Sequence, residues 1–180
     1  MLVAVLAIVV LLATITVIGA MLPREHRATG TAEYRRDPRT LWSVLTDFPS
    51  LAAWMPGVTQ VTAAAPSDGH PRWALTTEEG TMTIEVVELT PPRRLVTRIV
   101  EDGLPFGGTW TYDLSPTATG TRLTIVEDGW ISNPLYRFFA RYVFGLSTTI
   151  DRSLRALGRR LGETVTPTIS QREPVEPVAS

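Results

Sequence analysis

The ionisable chemistry open to this chain is narrow. It has no cysteine, and all 17 of its Lys+Arg residues are arginine. Thiolate catalysis, cysteine-ligated metals, Schiff-base lysines and a phosphate-gripping Walker lysine are thereby excluded. His26 follows an apolar N-terminal run and His70 sits in an Asp-Gly-His-Pro stretch. Neither a histidine triad nor a multi-histidine zinc site follows from two such positions, and both read as surface residues. No metal and no cofactor is called for.

What remains is carboxylate, tyrosine and arginine among large rings. Glu127 alternates with Leu123 and Ile125, so on a strand all three share one face. A carboxylate set in an apolar wall orients a ligand or moves a proton with a shifted pKa. The competing reading is a solvated strand end beside Asp128-Gly129. Arg98 stands between Val96 and Val100, where it either reaches an acidic group of a ligand or lies on an outer face. The aromatics Trp42, Trp54, Trp73, Trp110, Tyr112, Trp130, Phe138 and Tyr142 are each explained by core packing, since rings of that area are mostly buried. As a set they also suit the lining of an apolar cavity, and Trp110, Tyr112 and Tyr142 bring polar tips to it.

The elements that must position these groups are readable from period and punctuation. Small residues alternate with polar ones from His26 to Tyr34, which reads as a strand ended by Asp37-Pro38. Pro38 suits a first helical turn, and Leu41, Trp42, Val44 and Leu45 give a helical stripe to Asp47. A second short helix is expected from Pro49 to Met55, closed by Pro56-Gly57. Six strands then follow near Thr59 to Ala64, Arg72 to Glu78, Thr81 to Thr90, Arg94 to Glu101, Thr109 to Leu114 and Thr121 to Asp128. The turns between them hold Gly and Pro pairs and are too tight for crossover helices, so the sheet of about seven strands is expected to be antiparallel.

After Ser132-Asn133-Pro134 the pattern becomes helical. Leu135, Phe138, Phe139, Tyr142, Val143, Leu146, Ile150, Leu154, Leu157 and Leu161 fall on one arc of a helical wheel, with Arg137, Arg141, Arg152, Arg155 and Arg159 opposite. The reading is one long helix, bent at Gly145, laid against the sheet. Its arginine face is either solvated or turned to anionic headgroups. The stretch 164–180, with three prolines and no aromatic residue, reads as a disordered tail.

Residues 1–23 read as a membrane anchor, because Leu2 to Leu22 carries no charge and spans roughly 32 Å as a helix, against a hydrocarbon core of roughly 30 Å. A cleaved signal peptide would want a basic start and a better cleavage site than Val17-Ile18-Gly19-Ala20. Arginines 24, 27, 35, 36 and 39 all follow the span. The expected arrangement is therefore a single-pass protein of the cell membrane with a cytoplasmic domain, the alternative being an extracytoplasmic one.

The order strand, two short helices, six-stranded meander, long helix resembles the helix-grip fold of the START/Bet v 1-like (SRPBCC, polyketide cyclase/dehydrase-like) superfamily. Pro38 to Phe48 followed by Trp54-Met55-Pro56 resembles that family's W-x-V-L-x-D-x signature and later W-x-P. Gly108 to Leu114 and Gly120-Thr121-Arg122 are similar to its last two strands. The resemblance covers about residues 27 to 163, within an expected domain of 24–163, and implies an α+β fold whose curved antiparallel sheet grips the helix around an apolar cavity. On that fold Trp54, Trp73, Arg98, Trp110, Tyr112, Glu127, Phe138 and Tyr142 are the expected cavity residues.

Members of the superfamily bind lipids, sterols, polyketides or hormones, and some are cyclases or aromatases. The resemblance thus implies a binding protein for a lipid or other hydrophobic small molecule, held at a membrane. The alternative is a cyclase- or dehydratase-like enzyme with Glu127 or Tyr112 as acid or base. A third reading is a module that tethers a protein partner. A net charge of -1 gives no basic surface, so no nucleic acid is expected.

Overall fold

The computed structural model describes residues 1–78, 80–101 and 103–172. Eight strands make one sheet: β1 (Glu25–Tyr34), β2 (Val58–Ser67), β3 (His70–Thr77), β4 (Gly80–Thr90), β5 (Arg94–Ile99), β6 (Phe106–Pro116), β7 (Thr121–Ile131) and β8 (Thr168–Arg172). Their spatial order is β2-β3-β4-β5-β6-β7-β1-β8, and every pairing is antiparallel. Bulges in β2 and in β4 break the register, which is how strands bend and a sheet acquires curvature.

The eighth strand corrects the reading of residues 164–180 as a disordered tail. Val165 is buried, and Thr168 to Arg172 pair with Thr31 to Arg27 of β1. An edge strand is held by backbone hydrogen bonds on one side only, so it asks little of its side chains and leaves little trace in composition. Residues 173–180 lie outside those described.

The helices are α1 (Leu2–Met21), α2 (Pro38–Thr46), a 3₁₀ turn (Phe48–Ala53), α3 (Pro134–Phe139) running into a π-turn (Ala140–Phe144), and α4 (Thr148–Arg160). Asp37 starts α2 by accepting hydrogen bonds from the backbone N–H of Arg39 and Thr40 at 2.9 and 3.1 Å, with Pro38 in the first turn. Leu41 and Leu45, one turn apart, then enter the core.

The single long helix expected after Pro134 is instead two helices. Gly145 adopts φ 80°, outside the helical basin and accessible mainly to glycine, so the chain changes direction there. Beyond the break, α4 buries Ile150, Leu154 and Leu157 completely or nearly so (0%, 0% and 1% exposed). Each contributes about 1.5–3 kcal/mol by area alone. The close approach is permitted by Gly30 of β1, where any Cβ would collide with a methyl of Ile150 and come within 3.1 Å of Leu154. Tyr34 fastens the same helix to β1 by donating from its hydroxyl to the Leu154 carbonyl at 2.8 Å. Before the break, α3 packs on α1 and also touches β7.

Candidate functional site

The concave face of the sheet and α4 enclose an apolar interior built from alternate residues of each strand. Across three adjacent strands Trp110, Glu127 and Ala28 lie in one row, and Tyr112, Ile125 and Gly30 in the next. Tyr112, Leu123, Ile125, Leu154 and Ala28 belong to one buried cluster, against which Trp54, Trp73 and Trp110 pack. The fold thus brings Trp54, Trp73, Trp110 and Tyr112 to one interior, with Glu127 in the row of Trp110 and Ala28. Trp110 and Tyr112 stack side by side at 6.5 Å between ring centroids, and Trp73 stacks on Phe48 of the 3₁₀ turn at 5.3 Å.

Polar atoms punctuate this wall. Three of them, Trp54 Nε1, Trp73 Nε1 and Glu127 Oε2, are buried without a hydrogen-bond partner among the described residues. An unsatisfied buried polar atom costs about 1–3 kcal/mol, so interiors seldom keep three around one core without something for them to bind. Two are donors and one is an acceptor. Burial, reinforced by the charge of Glu127, pushes the Tyr112 phenol well above its ordinary range. It is therefore a neutral hydroxyl at any physiological pH.

The structure corrects the expectation that His26 is a surface residue. Its ring lies over Gly129, its partner in the β1–β7 register, and Nε2 sits 3.4 Å from Glu127 Oε1, with the two side chains 12% and 16% exposed. The signal was present in the strand's alternation: His26 shares parity with Ala28, Gly30 and Ala32, the small residues that face inward. His70 also makes a defined contact, its Nδ1 3.1 Å from the Val86 carbonyl oxygen.

Three expected cavity residues stand elsewhere. Arg98 pairs in register with Glu85, next to Thr97 opposite Val86, and strand parity turns it to the outer face. There its guanidinium bonds Glu85 Oε1 at 2.7 Å, while Arg72 bonds Oε2 at 2.6 Å. The hydrogen bond from Arg72, aided by that from Arg98, holds the Glu85 carboxyl below the usual carboxylate range. Phe138 and Tyr142 lie before the Gly145 break and are carried away from the interior. Their rings pack on each other at 5.0 Å, and Tyr142 is 60% exposed.

A second concavity, between β1 and the segment leading to β8, is open and lined by Thr31, Glu33, Arg35, Arg122, Glu163 and Thr168. Within it Arg122 pairs with Glu33 at 2.6 Å, and Glu163 accepts from the Arg35 backbone at 2.8 Å.

Among solved structures the chain is similar to a START superfamily protein from Mycobacterium smegmatis. The two share 19% identity at a TM-score of 0.62, over 76% of this chain and 97% of that one. It is also similar to a protein from Rhodobacter sphaeroides, with 24% identity and a TM-score of 0.56, covering 76% and 92%. A third likeness is to the di-domain ARO/CYC StfQ of the steffimycin biosynthetic pathway, with 17% identity and a TM-score of 0.58, covering 76% and 53%. These likenesses establish the helix-grip fold. No curated protein matches the sequence. The family match runs over residues 25–175, from the first strand through the last, and on that extent the chain belongs to the polyketide cyclase / dehydrase and lipid transport family.

Proposed function

We propose that this chain is a membrane-anchored binding protein that holds a lipid or other hydrophobic small molecule between the sheet and α4. The observation that carries the reading is the set of buried, unpaired polar atoms, Trp54 Nε1, Trp73 Nε1 and Glu127 Oε2, in an otherwise apolar wall. Such a wall takes the body of an apolar ligand, and the few polar atoms fix its orientation. Tyr112 and His26 add a neutral hydroxyl and an imidazole beside Glu127. The family's description, which includes lipid transport, agrees with it.

The anchor in this reading is α1, twenty residues of mean hydropathy 3.0 over its most apolar window. A signal sequence satisfies the same test of length and composition; a retained span is the reading proposed. The arginines that follow α1 favour a cytoplasmic domain. Native mass spectrometry of the full chain released from detergent is expected to show a co-purifying apolar adduct. A chain that is empty after purification, and takes up no fatty acid or sterol when offered them, sinks the binding reading. Protease digestion of the domain from outside intact cells sinks the orientation.

The pairing of His26 with Glu127 beside Tyr112 favours a second reading, proton transfer on a polyketide-type substrate in the same interior. Glu127→Gln is then expected to abolish turnover, and a variant that turns over normally removes the reading.

A further inference from the structure

Exposed apolar side chains are unevenly placed on this molecule. Outside α1, the large ones among the described residues are Leu89, Trp130, Tyr136, Tyr142, Val143 and Phe144. All but Leu89 belong to the end of β7 or to the α3–π-turn segment. The segment is held against α1. Within Leu2–Met21 only Gly19 is buried and only Ile15 is half-buried, one turn apart on one face. Gly19 meets the Pro134 carbonyl directly and lies near Phe138. The contact thus occupies the last two turns of α1.

That placement fixes a depth. A twenty-residue helix is about 30 Å long, which matches the hydrocarbon thickness of a bilayer, so its last two turns reach the boundary between acyl chains and headgroups. Anything packed on them lies at that level. Soluble proteins rarely leave a contiguous set of such side chains in water. Rings with polar tips, as in Trp130, Tyr136 and Tyr142, are the kind that concentrate at a membrane interface. Arg137 of the same segment is buried, with its Nε unpaired.

We propose that the α3–π-turn segment is a second membrane contact, embedded in the interface of the same bilayer that α1 crosses, with Tyr142, Val143 and Phe144 at the headgroup–acyl boundary. It rests on the reading of α1 as a retained anchor. The domain is then seated on the lipid surface by two elements and held in one orientation, rather than swinging on the short link between Met21 and Glu25.

The absence of native cysteine makes the test direct. Full-length Val10→Cys, Thr119→Cys, Val143→Cys and Phe144→Cys are each spin-labelled in vesicles of phosphatidylcholine and phosphatidylglycerol, and accessibility to oxygen is compared with that to a water-soluble nickel chelate. Position 10 reports α1, and position 119 lies in the β6–β7 turn at the far end of the domain. The expected result is a hydrocarbon signal at 10, an interfacial signal at 143 and 144, and an aqueous one at 119. If 10 reads hydrocarbon while 143 and 144 read as aqueous as 119, the second contact is wrong and the anchor stands. If 10 itself reads aqueous, the anchor is wrong and the contact falls with it.

Discussion

The stretch from Pro134 to Leu161 is one amphipathic pattern in sequence and two different objects in space. In α4 the apolar positions Ile150, Leu154 and Leu157 are buried on β1, through the gap left by Gly30. In the α3–π-turn segment the equivalent positions Tyr142 and Val143 are each 60% exposed, and α3 lies on α1. Helical periodicity reports a face that avoids water but does not name what covers it. The switch between the two partners is made by one residue, Gly145, whose φ of 80° ends the first helical run.

The contrast is broken most forcefully by shortening one side chain on each half. Leu154→Ala removes a fully buried side chain from α4 and is expected to lower stability by about 2–5 kcal/mol, as core truncations to alanine do. Val143→Ala, on the exposed half, is expected to shift it by no more than about 0.5 kcal/mol. Equilibrium urea unfolding of the full chain in mild detergent measures both. Equal losses would mean that the first half also packs in the core. Gly145→Ala gives a sign test. In an unbroken helix, alanine for glycine stabilises by about 1 kcal/mol; at the observed φ it costs about 1–3 kcal/mol. A gain in the same unfolding assay would restore the single long helix.

These two halves also show what was legible beforehand. The meander was, because its turn residues and two-residue alternation are local signals, and so was the parity that sets Glu127 on the same face of its strand as Leu123 and Ile125. Arg98 was not: its neighbours on both sides are apolar, and only the register that sets Arg98 opposite Glu85 tells inner from outer. His26 was hidden by its nearness to the apolar N-terminal helix, although its strand's alternation pointed inward. β8 was hidden because edge pairing uses the backbone.

The interior and the outer segment can be separated further by ligand affinity. Glu127→Gln keeps the shape of a side chain that is 16% exposed but removes its charge. A ligand that donates a hydrogen bond to the carboxylate is expected to bind about 10- to 100-fold more weakly, the equivalent of about 1.5–3 kcal/mol. Tyr142→Phe, on the far side of the Gly145 break, is expected to leave affinity unchanged. Isothermal titration with whichever ligand mass spectrometry identifies reads both, and a loss at Tyr142 would draw the outer segment into the binding wall.

The smallest expected effect belongs to Arg98→Ala. Its guanidinium faces away from the interior, so ligand affinity should not change; a clear loss would place Arg98 at the cavity after all. Its effect lies in acid stability. The Glu85 carboxyl is held below its ordinary value first by Arg72 and then by Arg98. Its stabilising contribution is thus complete above the unfolded value of about 4.3. That contribution is lost as pH falls through the lower folded value. With Arg98 gone, one of the two partners that depress the carboxyl is missing. The variant should therefore lose less of its urea midpoint between neutral and acid pH than the parent does. An identical pH profile would show that Arg72 alone sets the ionisation of Glu85, leaving Arg98 a surface charge whose only structural role is to cover it.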